Sequence, residues 1–121
     1  MGVKHVIICE DDPGMALVMD RVFSKAGYGV RCAVDGRAIL GLCEAFPPDL
    51  VVTDIYMPKR DGFEVIRELR RKFPAVKIIA MSGNLPAESI LGLAVKLGAK
   101  KTLLKPFSME EALEAARSVL A

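Results

Sequence analysis

Short β-branched runs alternate with helical patterns five times along the chain, and this alternation restricts the fold more than any other feature. The most apolar runs, HVIIC, LVVT and VKIIAM, occupy residues 5–9, 50–53 and 76–81, as is typical of strands covered on both faces. Two more polar or shorter runs, at 29–34 and 101–104, suit the edges of a sheet. Strands that alternate with helices predict a parallel sheet with helices on both faces. We expect an α/β fold: a single doubly wound, five-stranded parallel sheet in the flavodoxin-like order 2-1-3-4-5, with five helices.

Capping residues mark the starts of four of the predicted helices. A side-chain oxygen at this position can accept a hydrogen bond from a free backbone N–H, and the candidates are Asp12, Asp35, Asp61 and Ser108. Glu64 and Glu111 would complete capping boxes with the last two. The fourth helix is predicted over about 86–97, and apolar residues occur on nearly all of its faces. Because only one stripe of a helix can pack on the sheet, Leu91 or Val95 should be exposed. The predicted inward face of the first helix comprises Met15, Val18, Met19, Val22 and Ala26.

Composition and charge exclude several classes of protein. Hydrophobic residues make up 52% of the 121 residues and charged residues 26%, as in a globular domain. A net charge of +2 does not suggest a surface for nucleic acid or membrane, and the apolar runs are far shorter than the roughly 18 residues of a bilayer span. The odd number of cysteines and their spacing predict reduced, buried thiols at Cys9, Cys32 and Cys43. We therefore predict one cytoplasmic domain over residues 1–121.

Polar residues follow four of the predicted strands, at the sheet edge where such folds bind ligands. Glu10 and Asp11 follow the first strand, Asp54 the third, Ser82 the fourth and Lys105 the fifth. Clustered carboxylates raise one another's pKa unless a cation compensates, and oxygen ligands favour Mg²⁺, with Mn²⁺ as a possibility. A lysine and a hydroxyl facing a metal suit an arriving phosphoryl group, and Asp54 could then act as the nucleophile that forms an aspartyl phosphate. Asp12 is interpreted as the helix cap.

These motifs together resemble the receiver domains of two-component response regulators, of the chemotaxis-regulator type. The resemblance covers essentially all of the chain, and it depends on the order and spacing of the motifs rather than on any one of them. The motifs are the acidic pair Glu10-Asp11, Asp54 with Met57-Pro58 and Asp61-Gly62, Ser82-Gly83, and Lys105-Pro106-Phe107.

The resemblance implies that Asp54 takes a phosphoryl group from a phosphohistidine on a sensor histidine kinase or a histidine phosphotransfer protein. Asp11 and Asp54 would ligate Mg²⁺ directly, Glu10 would act through water, and the backbone carbonyl of Tyr56 would be a further ligand. It also implies that Lys105 and Ser82 each contact a phosphoryl oxygen. Gly83 would leave room for the phosphoryl group and donate a backbone N–H to it, and the peptide bond before Pro106 would be cis.

The resemblance also predicts how such a domain would be regulated. Side chains at Tyr56 and Asn84 would tune the rate of dephosphorylation, and the fourth helix, fifth strand and fifth helix would form a surface for a homodimer or a target protein. At Thr102 the chain departs from the family, which commonly has an aromatic residue there that turns inward on activation. A threonine is small and stiff at χ1, so we expect a smaller change at the fifth strand and a larger one in residues 82–95.

Other functions compete with this interpretation. A Mg²⁺-dependent phosphatase of the haloacid-dehalogenase type would want a D-x-D pair after the first strand, where the chain has Glu10-Asp11-Asp12. A flavin-binding protein would need a hydroxyl- and glycine-rich loop at the same place. A metal-dependent enzyme of the topoisomerase-primase type would need a D-x-D motif, but Asp54 is followed by Ile55 and Tyr56. A receiver-like module used only for protein interaction would not need the acids. Ser82-Gly83 is also an ordinary turn pair, and His5, at the opposite end of the first strand, is interpreted as structural.

Overall fold

The computed structural model describes residues 2–56, 61–83 and 87–121, without the side chains of 87 and 88. Within these ranges the chain forms five parallel strands in the order β2-β1-β3-β4-β5, which confirms the predicted topology. The strands are β1 (His5–Cys9), β2 (Gly29–Ala33), β3 (Leu50–Asp54), β4 (Lys77–Ser82) and β5 (Lys101–Leu104). The helices are α1 (Pro13–Lys25), α2 (Gly36–Ala45), α3 (Gly62–Lys72), α4 (Ala87–Leu97) and α5 (Met109–Leu120).

The sheet separates two apolar clusters, one on each face. Ile7 and Cys9 point to the face covered by α2, α3 and α4, whereas Val6 and Ile8 point to the face covered by α1 and α5. All five residues of β3 are buried, since this strand lies at the centre of the sheet. Among the described helices, none is both long enough and apolar enough to cross a bilayer.

The helix starts follow the predicted caps. Asp12, Asp35 and Asp61 each accept hydrogen bonds from backbone N–H groups of the first turn. Ser108 and Glu111 form the full reciprocal capping box of α5. These bonds satisfy donors that have no partner within the helix, so each helix begins close to where the sequence predicts.

Burial differs from the predictions on α1. Met19 and Phe23 are fully buried, but Val18 is exposed, because it lies about 100° round the helix from Met19 and outside the stripe that faces the sheet. Ala26 is also exposed, since it is the C-cap that follows the last helical residue. The predicted inward face was therefore wrong at Val18 and Ala26, and it omitted Phe23.

The predicted burial of the three cysteines needs correction at one of them. Cys32 is exposed, because it lies on the edge strand β2, whereas Cys9 and Cys43 are buried as predicted. Burial raises the pKa of Cys9 to about 12 and that of Cys43 to about 11, which keeps both as thiols at neutral pH. On α4, the prediction that Leu91 or Val95 is exposed is confirmed by Val95, whereas Leu91 is buried with Ile90 and Ala94.

Candidate functional site

The carboxyl ends of β1, β3 and β5 bring three charged side chains into direct contact. The Nζ atom of Lys105 lies 2.6 Å from Oε1 of Glu10 and 2.7 Å from Oδ2 of Asp54. Asp54 ends β3, whereas Glu10 and Lys105 directly follow β1 and β5, and only the parallel sheet places the three together. The single ammonium group therefore bridges the two carboxylates.

Three carboxylates at this edge are arranged so that they could hold a cation. Glu10, Asp11 and Asp54 each offer a carboxylate oxygen, and these atoms all lie within 4.8 Å of one another. Glu10 and Asp54 are buried, whereas Asp11 is exposed, so water can reach the open side of the cluster. An all-oxygen donor set with room for water suits Mg²⁺, which usually keeps several waters in its shell. The residues thus fit the predicted metal.

The charges of this site are only partly balanced. Burial raises the pKa of Glu10, although the hydrogen bonds from Lys105 and from the backbone of Asp12 oppose this shift. Burial by itself would lower the pKa of Lys105, but the hydrogen bonds to Asp54 and Glu10 outweigh it, and the net pKa is raised. The two directions agree with a single ammonium group that serves two buried carboxylates: it gains two partners, and it does not fully offset the burial of Glu10. Binding of a further cation would stabilise this arrangement.

Asp12 contacts Glu10 through its backbone, while its side chain caps α1. Its Oδ1 atom accepts a hydrogen bond from the N–H of Gly14 at 3.0 Å, as the cap of α1. Its own N–H donates to Oε2 of Glu10 at 3.2 Å. Glu10 is therefore held from both sides, by the Asp12 backbone and by Lys105.

Two glycines allow the chain to approach the site closely. A Cβ atom at Gly83 would lie 3.0 Å from Cβ of Lys105, so the glycine gives the lysine stem its room. A Cβ at Gly62 would lie 2.3 Å from the carbonyl oxygen of Ile55, which accepts a hydrogen bond from the Gly62 N–H at 3.0 Å. The Gly62 contact positions the start of α3 against Ile55, the residue after Asp54, and no local sequence pattern indicates this role.

The remaining predicted residues lie around this centre. Ser82 is buried at the end of β4, and its carbonyl accepts a hydrogen bond from the Lys105 N–H at 3.0 Å. The Lys105–Pro106 peptide bond is cis. Tyr56 is 49% exposed, and Thr102 is half-buried opposite Ala80. Asn84, Met57 and Pro58 lie outside the described residues.

An open pocket of about 500 Å³ lies beside the charged cluster. Its polar wall includes Glu10, Asp12 and Lys105, and its apolar wall comprises Met15, Pro106 and Phe107. No local sequence pattern marks Met15 as a site residue, because it lies on α1 and packs against the core. The pocket offers a ligand access to the carboxylates from the side of α1.

Comparison with known proteins identifies the family. The family model described as the response regulator receiver domain matches residues 6–117. The chain belongs to the response regulator receiver domain family.

Solved receiver structures share the whole fold of this receiver. The chemotaxis protein CheY4 of Vibrio cholerae is 26% identical, with a TM-score of 0.89 over 98% of this chain and 100% of that chain. The response regulator TrrA of Thermotoga maritima, solved in complex with Mg²⁺-BeF, is 27% identical, with a TM-score of 0.86 over 98% of this chain and 100% of that chain. A CheY-like receiver domain protein of Methanospirillum hungatei, 24% identical, has a TM-score of 0.92 over 98% of this chain and 94% of that chain, which supports the fold.

Proposed function

We propose that residues 1–121 act as a phosphorylatable receiver domain, in which Asp54 accepts a phosphoryl group from a phosphohistidine on a sensor kinase or phosphotransfer protein. The observation that carries this proposal is the contact of Asp54 with Lys105, beside carboxylate oxygens of Glu10 and Asp11. A buried carboxylate next to a cationic donor and a potential metal site is suited to nucleophilic attack on phosphorus.

In the proposed reaction a carboxylate oxygen of Asp54 forms a bond to phosphorus while the bond from phosphorus to the donor imidazole nitrogen breaks. The electron pair of the broken bond stays on the imidazole, which then takes up a proton. Lys105 already contacts Oδ2 of Asp54 and can transfer its hydrogen bond to a phosphoryl oxygen. Ser82 and the N–H of Gly83 are proposed to contact the other phosphoryl oxygens.

Glu10, Asp11, Asp54 and the carbonyl of Tyr56 are the proposed Mg²⁺ ligands, with Glu10 acting through water. Mg²⁺, when bound, would neutralise negative charge on the phosphoryl oxygens and the carboxylates. The protein would thus catalyse its own phosphorylation and dephosphorylation without turning over a metabolite. Support for this assignment comes from the all-oxygen cluster and its unbalanced charge.

Phosphorylation is proposed to change the surface formed by α4, β5 and α5. Leu93, Val95 and Leu104 are exposed apolar residues on these elements, which supports a second partner for this face. Because Thr102 replaces the aromatic residue expected by resemblance, we propose that the change is largest in the loop after Gly83 and in α4.

Intact-mass spectrometry after treatment with acetyl phosphate and Mg²⁺ tests the acceptor. The native chain should gain one phosphoryl group, and Asp54→Asn should gain none. Asp35→Asn is the matched control, because asparagine can still cap α2, and it should be phosphorylated like the native chain. Phosphorylation of Asp54→Asn would refute the acceptor, and rapid turnover of a phosphomonoester would instead support a phosphatase.

A further inference from the structure

A second hollow lies at the opposite end of the sheet from Asp54. Two adjoining depressions, of about 220 Å³ and about 240 Å³, share His5, Arg31 and Phe46 as lining residues. His5 begins β1 and Glu10 follows its end, so at about 3.3 Å per residue the hollow is roughly 16 Å from the carboxylate cluster. It is therefore separate from the candidate phosphoacceptor site.

Gly29 and the C-terminal end of α2 shape this hollow. A Cβ atom at Gly29 would lie 2.6 Å from Nδ1 of His5, so the imidazole ring occupies space that only glycine leaves free. Phe46 is the C-cap of α2, and its N–H donates to the carbonyl of Leu42 at 2.7 Å before Pro47 ends the helix. The Phe46 ring, which forms the aromatic wall of the hollow, is therefore attached to a hydrogen-bonded helix end.

The guanidinium group of Arg31 is held in place by this wall. Its Cζ atom lies 3.3 Å from the centroid of the Phe46 ring, a stacked geometry that leaves the N–H groups at the edge of the plane available. In the described part of the chain, no carboxylate pairs with this guanidinium. A planar donor that is already oriented matches a carboxylate or phosphate group through two parallel hydrogen bonds.

The other walls determine the kind of ligand. The His5 imidazole can donate a second hydrogen bond to an anion, whereas the exposed Phe46 ring offers apolar surface. Each hollow is small beside the roughly 300–1,000 Å³ of typical ligand pockets. The carboxylate of Asp49 is nearby and opposes an anion, but it already accepts the His5 backbone N–H at 2.8 Å.

We propose that the hollow formed by His5, Arg31 and Phe46 binds a small organic oxyanion, namely a carboxylate or phosphate group on a compact apolar body. This binding does not depend on phosphorylation of Asp54, so the two proposals can fail separately.

Amide chemical shifts of the ¹⁵N-labelled full chain test the proposal, with benzoate and phenyl phosphate as probes. Both should cause saturable shifts at residues 5–7, 29–31 and 45–46, and their relative affinities show whether a carboxylate or a phosphate is preferred. Benzamide has the body of benzoate without its charge, and inorganic phosphate has the charge without the body, so both should bind at least about tenfold more weakly. Shifts at residues 10, 11, 54 and 105 report separately on the carboxylate cluster.

Arg31→Gln should weaken binding of the better probe by about tenfold or more, because it removes the charge-assisted pair. Arg21→Gln removes the same charge from an exposed position on α1 and should leave binding unchanged. Phe46→Leu keeps an apolar side chain but removes the stack, and should also weaken binding. The proposal is overturned if no saturable shift appears in these segments, if benzamide binds as well as benzoate, or if Arg21→Gln weakens binding as much as Arg31→Gln.

Discussion

Replacing Lys105 by methionine tests whether one ammonium group compensates the buried carboxylates. Methionine keeps the apolar stem, but it leaves Glu10, only 1% exposed, and Asp54, whose side chain is 7% exposed, without their cation. A hydrogen bond to a charged group contributes about 1.5–3 kcal/mol, and this lysine makes two such bonds while remaining 27% exposed to screening solvent. We expect the free energy of unfolding at pH 7 to fall by about 2–4 kcal/mol.

Urea unfolding followed by circular dichroism measures this loss, and Lys101→Met is the control. Lys101 is an exposed lysine on β5, the strand that Lys105 follows, so its replacement should change the stability by less than about 0.5 kcal/mol. Added Mg²⁺ should restore part of the loss in Lys105→Met, because a divalent cation can neutralise the same carboxylates.

The loss should also depend on pH, with a sign set by Glu10. Its pKa is raised in the folded state by burial, and removing Lys105 takes away an interaction that lowers this pKa. Between the unfolded pKa of about 4.3 and the raised folded value, the folded state binds more protons, so its stability increases as the pH falls. The difference between native and mutant should therefore shrink as the pH is lowered from 7 towards the unfolded pKa. A loss no larger than that of Lys101→Met, or one that grows as the pH falls, would contradict this reasoning.

Three other predictions concern the metal, the fold and the switch. Asp11→Asn should weaken Mg²⁺ binding in a titration more than Asp12→Asn does, because Asp12 caps α1; the reverse order would mean that the acidic pair is assigned wrongly. Gly98→Ala should lower the free energy of unfolding by more than about 1 kcal/mol, since the φ angle is +130° and the new Cβ would lie 2.4 Å from Cγ of Arg70; Gly41→Ala, with open space around it, is the control. On addition of a phosphoryl mimic, amide shifts should change most within residues 82–95, and a dominant change at 101–103 would count against a switch through α4.

The sequence predicted the succession of strands and helices because the relevant signals are local. Apolar runs of strand length and capping residues such as Asp35 and Ser108 act within a few positions, so they can be identified without knowing the tertiary structure. The location of the site also followed, since the carboxyl ends of parallel strands meet at one edge. The sequence therefore predicts that Glu10, Asp11, Asp54 and Lys105 lie close together, and in the structure they do.

Predictions failed where burial depends on the neighbours of an element. Cysteine is commonly a core residue, but Cys32 lies on the edge strand β2 and is exposed to solvent. The prediction for Val18 was wrong because an apolar residue near the boundary of a helical stripe can face either way until the helix packs on the sheet.

The sequence by itself thus determined the order of strands and helices, the helix starts and the set of side chains at the carboxyl edge, because these depend on periodicity and on contacts within one turn. Only the tertiary structure decided that Lys105 bridges Glu10 and Asp54, that Gly62 lies against Ile55, and that Arg31 stacks on Phe46. The Lys105 contacts join residues 51 to 95 positions apart. Their distances depend on strand register and helix packing, which the whole fold determines cooperatively.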